Sequence, residues 1–253
     1  MKMCPSTDGE PRLLHMRAVF LPGLDGVGFS AETIGELTSL LTIEVFQYPL
    51  GLRLEWPTLC HSIAERMKQL SAGLLIGESF GGAVAQEVLL RHPDVVKSAF
   101  LLSTFPMEPE PFAAALGRVA TRVLPRALIK PVSRRLAAWK LAGTLKGTDR
   151  AKFLARFGEV DHAEMARRLE LLKGFDSRPR LMGVRIPIEF AYGTRDTMCA
   201  APEMLRAWKN VPDCRVHALE GYGHLVSVEA APELAKLIDA WAARTPPDET
   251  PGK

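Results

Sequence analysis

At 253 residues the chain lies at the upper end for one domain and suits an α/β domain carrying an insertion. Hydrophobic residues make up 47% and charged residues 24%, enough for a sizeable core. The net charge of +3 is too small to argue for a nucleic-acid partner, and no apolar run approaches the roughly 20 residues of a bilayer span. The stretch Met1 to Met16 has no hydrophobic region of signal-peptide length. Cys4, Cys60, Cys199 and Cys214 show no metal-ligand spacing, so free thiols in a cytoplasmic protein are expected, and no metal.

Met1 to Arg12 reads as a frayed lead-in. Met16 to Leu21 reads as a buried strand ending in the loop Pro22-Gly23-Leu24-Asp25-Gly26-Val27-Gly28. The glycine spacing does not fit Gly-x-Gly-x-x-Gly running into a helix, which excludes a dinucleotide site. Ala31 to Leu41 reads as a helix with Ser30 as its N-cap. Thr42 to Gln47 alternates and is rich in strand formers. Pro57 to Leu70 is expected to be a helix with Leu59, Ile63, Met67 and Leu70 on one face.

The next stretch organises the chain. Leu74, Leu75 and Ile76 make a short buried strand. Gly77-Glu78-Ser79-Phe80-Gly81 then fits Gly-x-Ser-x-Gly, and a helical pattern runs to Arg91. A strand turning sharply into a helix strains its apex residue and brings the flanking backbone too close for Cβ atoms at Gly77 and Gly81. It also presents the apex side chain at a helix N-terminus, which favours developing negative charge. Ser79 is therefore a candidate nucleophile, against the alternative of a Gly/Ser turn without chemistry.

Val95 to Leu102 reads as a further strand, and strands alternating with helices call for a parallel sheet covered on both faces. The alternation then breaks. From Thr104 to Arg180 several helices are separated by prolines, with sixteen basic and eight acidic residues. That segment carries +8 and the rest of the chain −5, which predicts an inserted helical cap over 104–180 between core portions 13–103 and 181–244. Its apolar residues (among them Phe112, Leu116, Trp139 and Leu141) predict an apolar pocket beneath a basic outer face. The alternative is that the basic residues are only a solvated face.

The α/β rhythm resumes with a strand at Ile188 to Tyr192, a helix at Pro202 to Trp208, a strand at Arg215 to Leu219 and a helix at Pro232 to Ala243. Residues 245–253 are expected to be a disordered tail. In open α/β sheets ligands bind beyond the carboxyl ends of the strands. Ser79, Asp196 and His224 each follow a strand there, in the chain order Ser, Asp, His.

On these residues the chain resembles the α/β-hydrolase superfamily, of the esterase/lipase-like serine hydrolase group. The shared features are the loop after the first strand, the elbow, the helical insertion, Gly193-Thr194-Arg195-Asp196 and Gly221-Tyr222-Gly223-His224. The resemblance implies an α/β-hydrolase fold with a mainly parallel sheet of about six strands. It implies Ser79 as nucleophile, His224 as general base and Asp196 as its orienter. The backbone N–H groups of Phe80 and Leu24 are the implied oxyanion donors, although Pro22-Gly23 stands where many relatives have His-Gly. Asp25 is a candidate substrate contact, with solvation or a turn role as its alternative. The implied activity is hydrolysis of a carboxylic ester with an apolar acyl group through an acyl-enzyme, without cofactor. Thioesterase or acyltransferase chemistry on the same triad is the alternative, and a non-catalytic binding scaffold is the alternative of another class. The basic cap leaves a peripheral membrane contact, or attraction of an anionic acyl carrier, as further expectations.

Overall fold

A computed structural model describes residues 16–26, 28–109, 135 and 138–246. The expected lead-in, the tail beyond 246 and the cap residues between 110 and 134, with their basic and apolar side chains, lie outside the described residues. In chain order the elements are β1 (Met16–Leu21), α1 (Phe29–Leu37), β2 (Leu41–Val45), α2 (Trp56–Leu70), β3 (Leu74–Glu78), α3 (Phe80–Arg91) and β4 (Ser98–Leu102). There follow α4 (Gly147–Glu159), α5 (His162–Leu171) and α6 (Arg178–Leu181). The chain closes with β5 (Ile188–Gly193), α7 (Pro202–Lys209), β6 (Cys214–Leu219), α8 (Val226–Glu229) and α9 (Ala231–Arg244).

The six strands form one parallel sheet in the order β2-β1-β3-β4-β5-β6. Every residue of β3, β4 and β5 is buried, as an apolar run covered on both faces requires. Alternate residues serve opposite layers. Val19, Leu21, Leu75, Leu101 and Phe190 pack with Leu59, Ile63 and Met67 of α2, Val84 and Val88 of α3 and Trp208 of α7. Ala18, Phe20, Ile76, Phe100 and Leu102 pack on the other side with Ile34 of α1 and Leu234, Ile238 and Trp241 of α9. The Trp241 indole N–H donates to Ser98 Oγ at 2.6 Å, so its ring is buried without stranding a donor.

Of the boundaries that differ from the sequence reading, three have a clear cause in the fold. The expected N-cap Ser30 lies inside α1, and Gly28 caps it instead at φ 65°. A Cβ at Gly28 would lie 2.8 Å from Val45 Cγ1, so close approach and a left-handed backbone both demand glycine there. The helix also stops at Leu37 rather than Leu41, because Leu41 pairs in register with Met16 and opens β2. Sheet pairing outweighs the helical spacing of Leu37, Leu40 and Leu41. The strand expected from Val95 begins at Ser98, where pairing with β3 begins at Leu74.

The segment between β4 and β5 leaves and returns at one neck. Met107 bridges Asp176 in antiparallel fashion, Glu108 N–H donates to the Phe175 carbonyl at 2.7 Å, and Ser177 N–H donates to the Pro106 carbonyl at 2.8 Å. Beyond it, Ala142, Leu145, Phe153, Phe157, Val160 and Met165 form a third apolar cluster that touches Leu24, Leu225 and Val228 of the core. Strand order reverses between β1 and β3, with β2 on one side of β1 and the rest of the sheet on the other. A crevice is expected at that switch point, beyond the strand carboxyl ends. Among the described residues no helix is long and apolar enough to cross a membrane.

Candidate active site

Ser79 stands at the end of β3 with φ 52° and ψ −115°, a region side chains rarely occupy. Its surroundings hold it there. The Ser79 N–H donates to the Leu102 carbonyl at 2.9 Å, and its carbonyl accepts from Thr104 Oγ1 at 2.7 Å. A Cβ at Gly77 would lie 2.6 Å from the Gly81 carbonyl oxygen, and one at Gly81 would lie 2.0 Å from the Leu21 carbonyl oxygen. The close crossing expected of the two elbow glycines is therefore present, with β1 passing directly against the turn.

Three side chains that are far apart in sequence meet at this apex. His224 Nε2 lies 3.0 Å from Ser79 Oγ, and His224 Nδ1 lies 2.8 Å from Asp196 Oδ2. The other Asp196 oxygen accepts from the N–H groups of Met198 at 2.8 Å and Cys199 at 3.1 Å. Asp196 and His224 are buried. Burial disfavours charge on both, yet each holds the other's charged form. The carboxylate beside it raises the His224 pKa above the ordinary histidine value. The histidine and the two backbone N–H groups bring Asp196 below the ordinary aspartate value despite its burial. With Nδ1 hydrogen-bonded to a carboxylate, a neutral His224 presents a basic Nε2 to the serine hydroxyl.

The apex opens into a cavity of about 150 Å³. Leu24, Phe80, Phe153, Phe157, Leu172 and Leu225 supply much of its wall, so α4 and α5 of the inserted segment roof it. Leu24, Phe80 and Asp25 all line it, as does Glu78, whose carboxylate accepts from the Ser227 hydroxyl. The Phe80 N–H opens α3 at its first position, ahead of the helix's own carbonyls. Of the two cap residues named above that are described, Leu141 lines the cavity, whereas Trp139 is 69% exposed.

Asp196, Cys199 and His224 also form a cluster with metal-ligand spacing, their ligand atoms within 4.8 Å of one another. Burial pushes the Cys199 thiol well above its usual pKa, with Asp196 adding to the effect. A thiolate is the ligand form, so this donor set is poorly suited to an ion.

Two features escaped the sequence reading. Thr104 lies two residues past β4, and its methyl and hydroxyl fill the space a Cβ at Gly82 would need. Arg168 had counted only as one basic residue of the insertion. It is buried, and its guanidinium donates to the Leu24 carbonyl at 2.8 Å. No local pattern marks such a residue, because its partner lies 144 positions away.

A model of the alpha/beta hydrolase family matches residues 18–237. No curated protein matches the sequence. Among solved structures, the enol-lactonase from Burkholderia xenovorans LB400 superposes with a TM-score of 0.75 at 18% identity, over 96% of this chain and 95% of that one. The esterase from Exiguobacterium antarcticum gives 0.74 at 14% identity, over 90% and 92% of the two chains. A bromoperoxidase from Bacillus anthracis gives 0.73 at 13% identity, also over 90% and 92%. At these identities the likeness concerns the fold.

Proposed function

The chain belongs to the alpha/beta hydrolase family, and on that premise we propose that it is a serine hydrolase cleaving carboxylic esters with an apolar acyl group. The observation that carries this reading is the continuous hydrogen-bonded relay from Ser79 through His224 to Asp196, opening into an apolar cavity. The fold alone does not select esters, since an esterase, an enol-lactonase and a bromoperoxidase share it.

In this reading His224 Nε2 takes the proton of Ser79 as the hydroxyl attacks the ester carbonyl. Asp196 holds the imidazole in the useful tautomer and stabilises the imidazolium. The N–H groups of Phe80 and Leu24 receive the oxyanion. The tetrahedral intermediate collapses as His224 passes its proton to the departing alcohol, leaving an acyl group on Ser79. Water, activated by the same histidine, releases the acid and restores the serine. The apolar wall formed by Phe153, Phe157 and Leu172 accommodates the acyl chain, and removing a methylene from water there contributes about 0.8 kcal/mol. Asp25 and Glu78 add carboxyl groups to that wall. No cofactor enters the scheme.

The test is hydrolysis of a p-nitrophenyl ester series from acetyl to palmitoyl by the native protein and by Ser79→Ala, with fluorophosphonate labelling of both. Turnover and labelling in the native protein, with both lost in the variant, are expected. A native protein that neither turns over nor labels overturns the reading in favour of a binding scaffold.

A further inference from the structure

The loop after β1 is held by three successive carbonyls. The Pro22 carbonyl accepts from the Tyr48 hydroxyl at 2.9 Å, the Gly23 carbonyl from the Gly26 N–H at 2.9 Å, and the Leu24 carbonyl from the Arg168 guanidinium at 2.8 Å. The Gly23 carbonyl and the Leu24 N–H belong to one peptide plane, and in a trans peptide they point to opposite sides. Turning that carbonyl in toward Gly26 therefore directs the Leu24 N–H away from the turn. Gly23 and Leu24 both line the cavity, and a Cβ at Gly23 would lie 3.8 Å from Ser79 Cβ. Two outside groups, one on each flanking carbonyl, hold the plane in place.

Those two groups support each other. The Arg168 guanidinium lies 5.2 Å from the Tyr48 ring centroid, and it fills the space a Cβ at Gly26 would need, at 2.6 Å from Nη2. Gly26 has φ 72°, so the loop is shaped around the guanidinium as well as bonded to it. Among the described residues Arg168 Nε has no hydrogen-bond partner, an arrangement that costs stability. An apolar side chain would fill the same volume without that cost, so the guanidinium points to a task beyond packing.

We propose that Arg168 is a positioning residue for acyl transfer: from α5 it grips the Leu24 carbonyl and, with Tyr48, fixes the peptide whose N–H receives the oxyanion. The inference rests on the reading of Ser79 as nucleophile. Its consequence is that the inserted helices do more than roof the cavity. The oxyanion donor is correctly aimed only while α5 is docked. Glu164, one turn earlier on the same helix, accepts from the Gly51 N–H at 2.8 Å and ties α5 to the loop after β2. A donor held rigid before the reaction stabilises the developing charge without reorganisation at the moment of attack.

The experiment compares Arg168→Ala, Arg168→Lys and Tyr48→Phe with Arg167→Ala, a neighbour that contacts only Glu164 among the interactions described. Arg168→Ala is expected to lower kcat on the best p-nitrophenyl ester by about 10- to 100-fold while KM stays within about threefold, the pattern of a contact felt in the transition state. Affinity for an alkyl trifluoromethyl ketone, which forms an oxyanion on the serine, falls in parallel. Added guanidinium ion restores kcat to Arg168→Ala by at least roughly fivefold and leaves the native enzyme unchanged. Arg168→Lys and Tyr48→Phe, which keep most of the packing, lose about 3- to 10-fold, and Arg167→Ala stays within about twofold. A lowered Tm with kcat and ketone affinity unchanged in the folded fraction overturns the proposal and leaves Arg168 a packing residue. Ser79→Ala separates the two readings. If it is inactive while Arg168→Ala keeps full kcat, the positioning role alone falls. If it remains active, both fall.

Discussion

Strands β5 and β6 each contribute to two histidine–carboxylate pairs, and of these two only one faces a serine hydroxyl. Glu189 and His217 lie within β5 and β6; Asp196 and His224 follow the same two strands, each seven residues further along. Both pairs have the same sequence separation of 28 and the same 2.8 Å contact. At the inner pair the Glu189 carboxylate is shared with Arg244, and His217 stacks flat on Phe100 at 24% exposure. At the outer pair the second imidazole nitrogen meets Ser79 Oγ and the ring borders a cavity. Residue chemistry and distance are thus shared. What differs is position along the strand, since only beyond the carboxyl ends does the chain leave room for a third group and a ligand.

Ser79→Ala should have the largest effect. Esterase activity is expected to fall by about 10⁴-fold or more, measured by p-nitrophenol release at equal folded protein. Asp196→Asn comes next, with kcat lowered on the order of 10³- to 10⁴-fold, because the amide no longer holds the tautomer or the imidazolium. Its pH profile sharpens the comparison. In the proposed mechanism His224 must be neutral to act as base, and its pKa is raised by Asp196, so activity should be lost as pH falls through a value above that of an ordinary histidine. Without the Asp196 carboxylate, burial is opposed only by the smaller effects of Glu78 and Glu229, and the acid limb should move to lower pH.

The inner pair should behave in the opposite way. Glu189→Gln is expected to leave kcat within about twofold while lowering stability by about 1–3 kcal/mol in denaturant melts. Burial raises the Glu189 pKa, but the His217 and Arg244 contacts lower it further, so the folded value lies below the ordinary one. Its contribution is therefore present above the unfolded glutamate pKa and is lost as pH falls through the folded one. The stability gap between native protein and Glu189→Gln should close in that acid window. Among these predictions the smallest effect belongs to the cavity wall. Phe157→Ala should move the preferred acyl chain longer by a few carbons, read from the p-nitrophenyl series, with little change in the maximal kcat.

The sheet was legible because its central strands are mostly apolar and each ends in a turn signal. The elbow was legible because the strained turn leaves few residue choices at Gly77, Ser79 and Gly81. Asp196 and His224 could be placed because each lies in the turn after a core strand. What escaped has one cause in two forms. Leu40 and Leu41 continue a helical spacing, and only the pairing of Leu41 with Met16 assigns it to β2. Arg168 looks like any surface arginine of an amphipathic helix until the fold lays α5 over the β1 loop. Local periodicity reports neither strand register nor what a long side chain reaches. For the same reason the Glu189–His217 pair is invisible until β5 and β6 are aligned.

The neck at Met107 and Asp176 has a consequence for inheritance. Because the chain departs and returns through one short bridge, the segment beyond can be lengthened, shortened or exchanged between relatives while the strand register stays intact. Such a graft would keep the parental sheet and acquire a new roof. On the positioning role proposed for Arg168, how fast the hybrid turns over substrate depends in part on a long side chain arriving with the graft to grip the loop below. Folding and activity can therefore be gained at separate steps of descent.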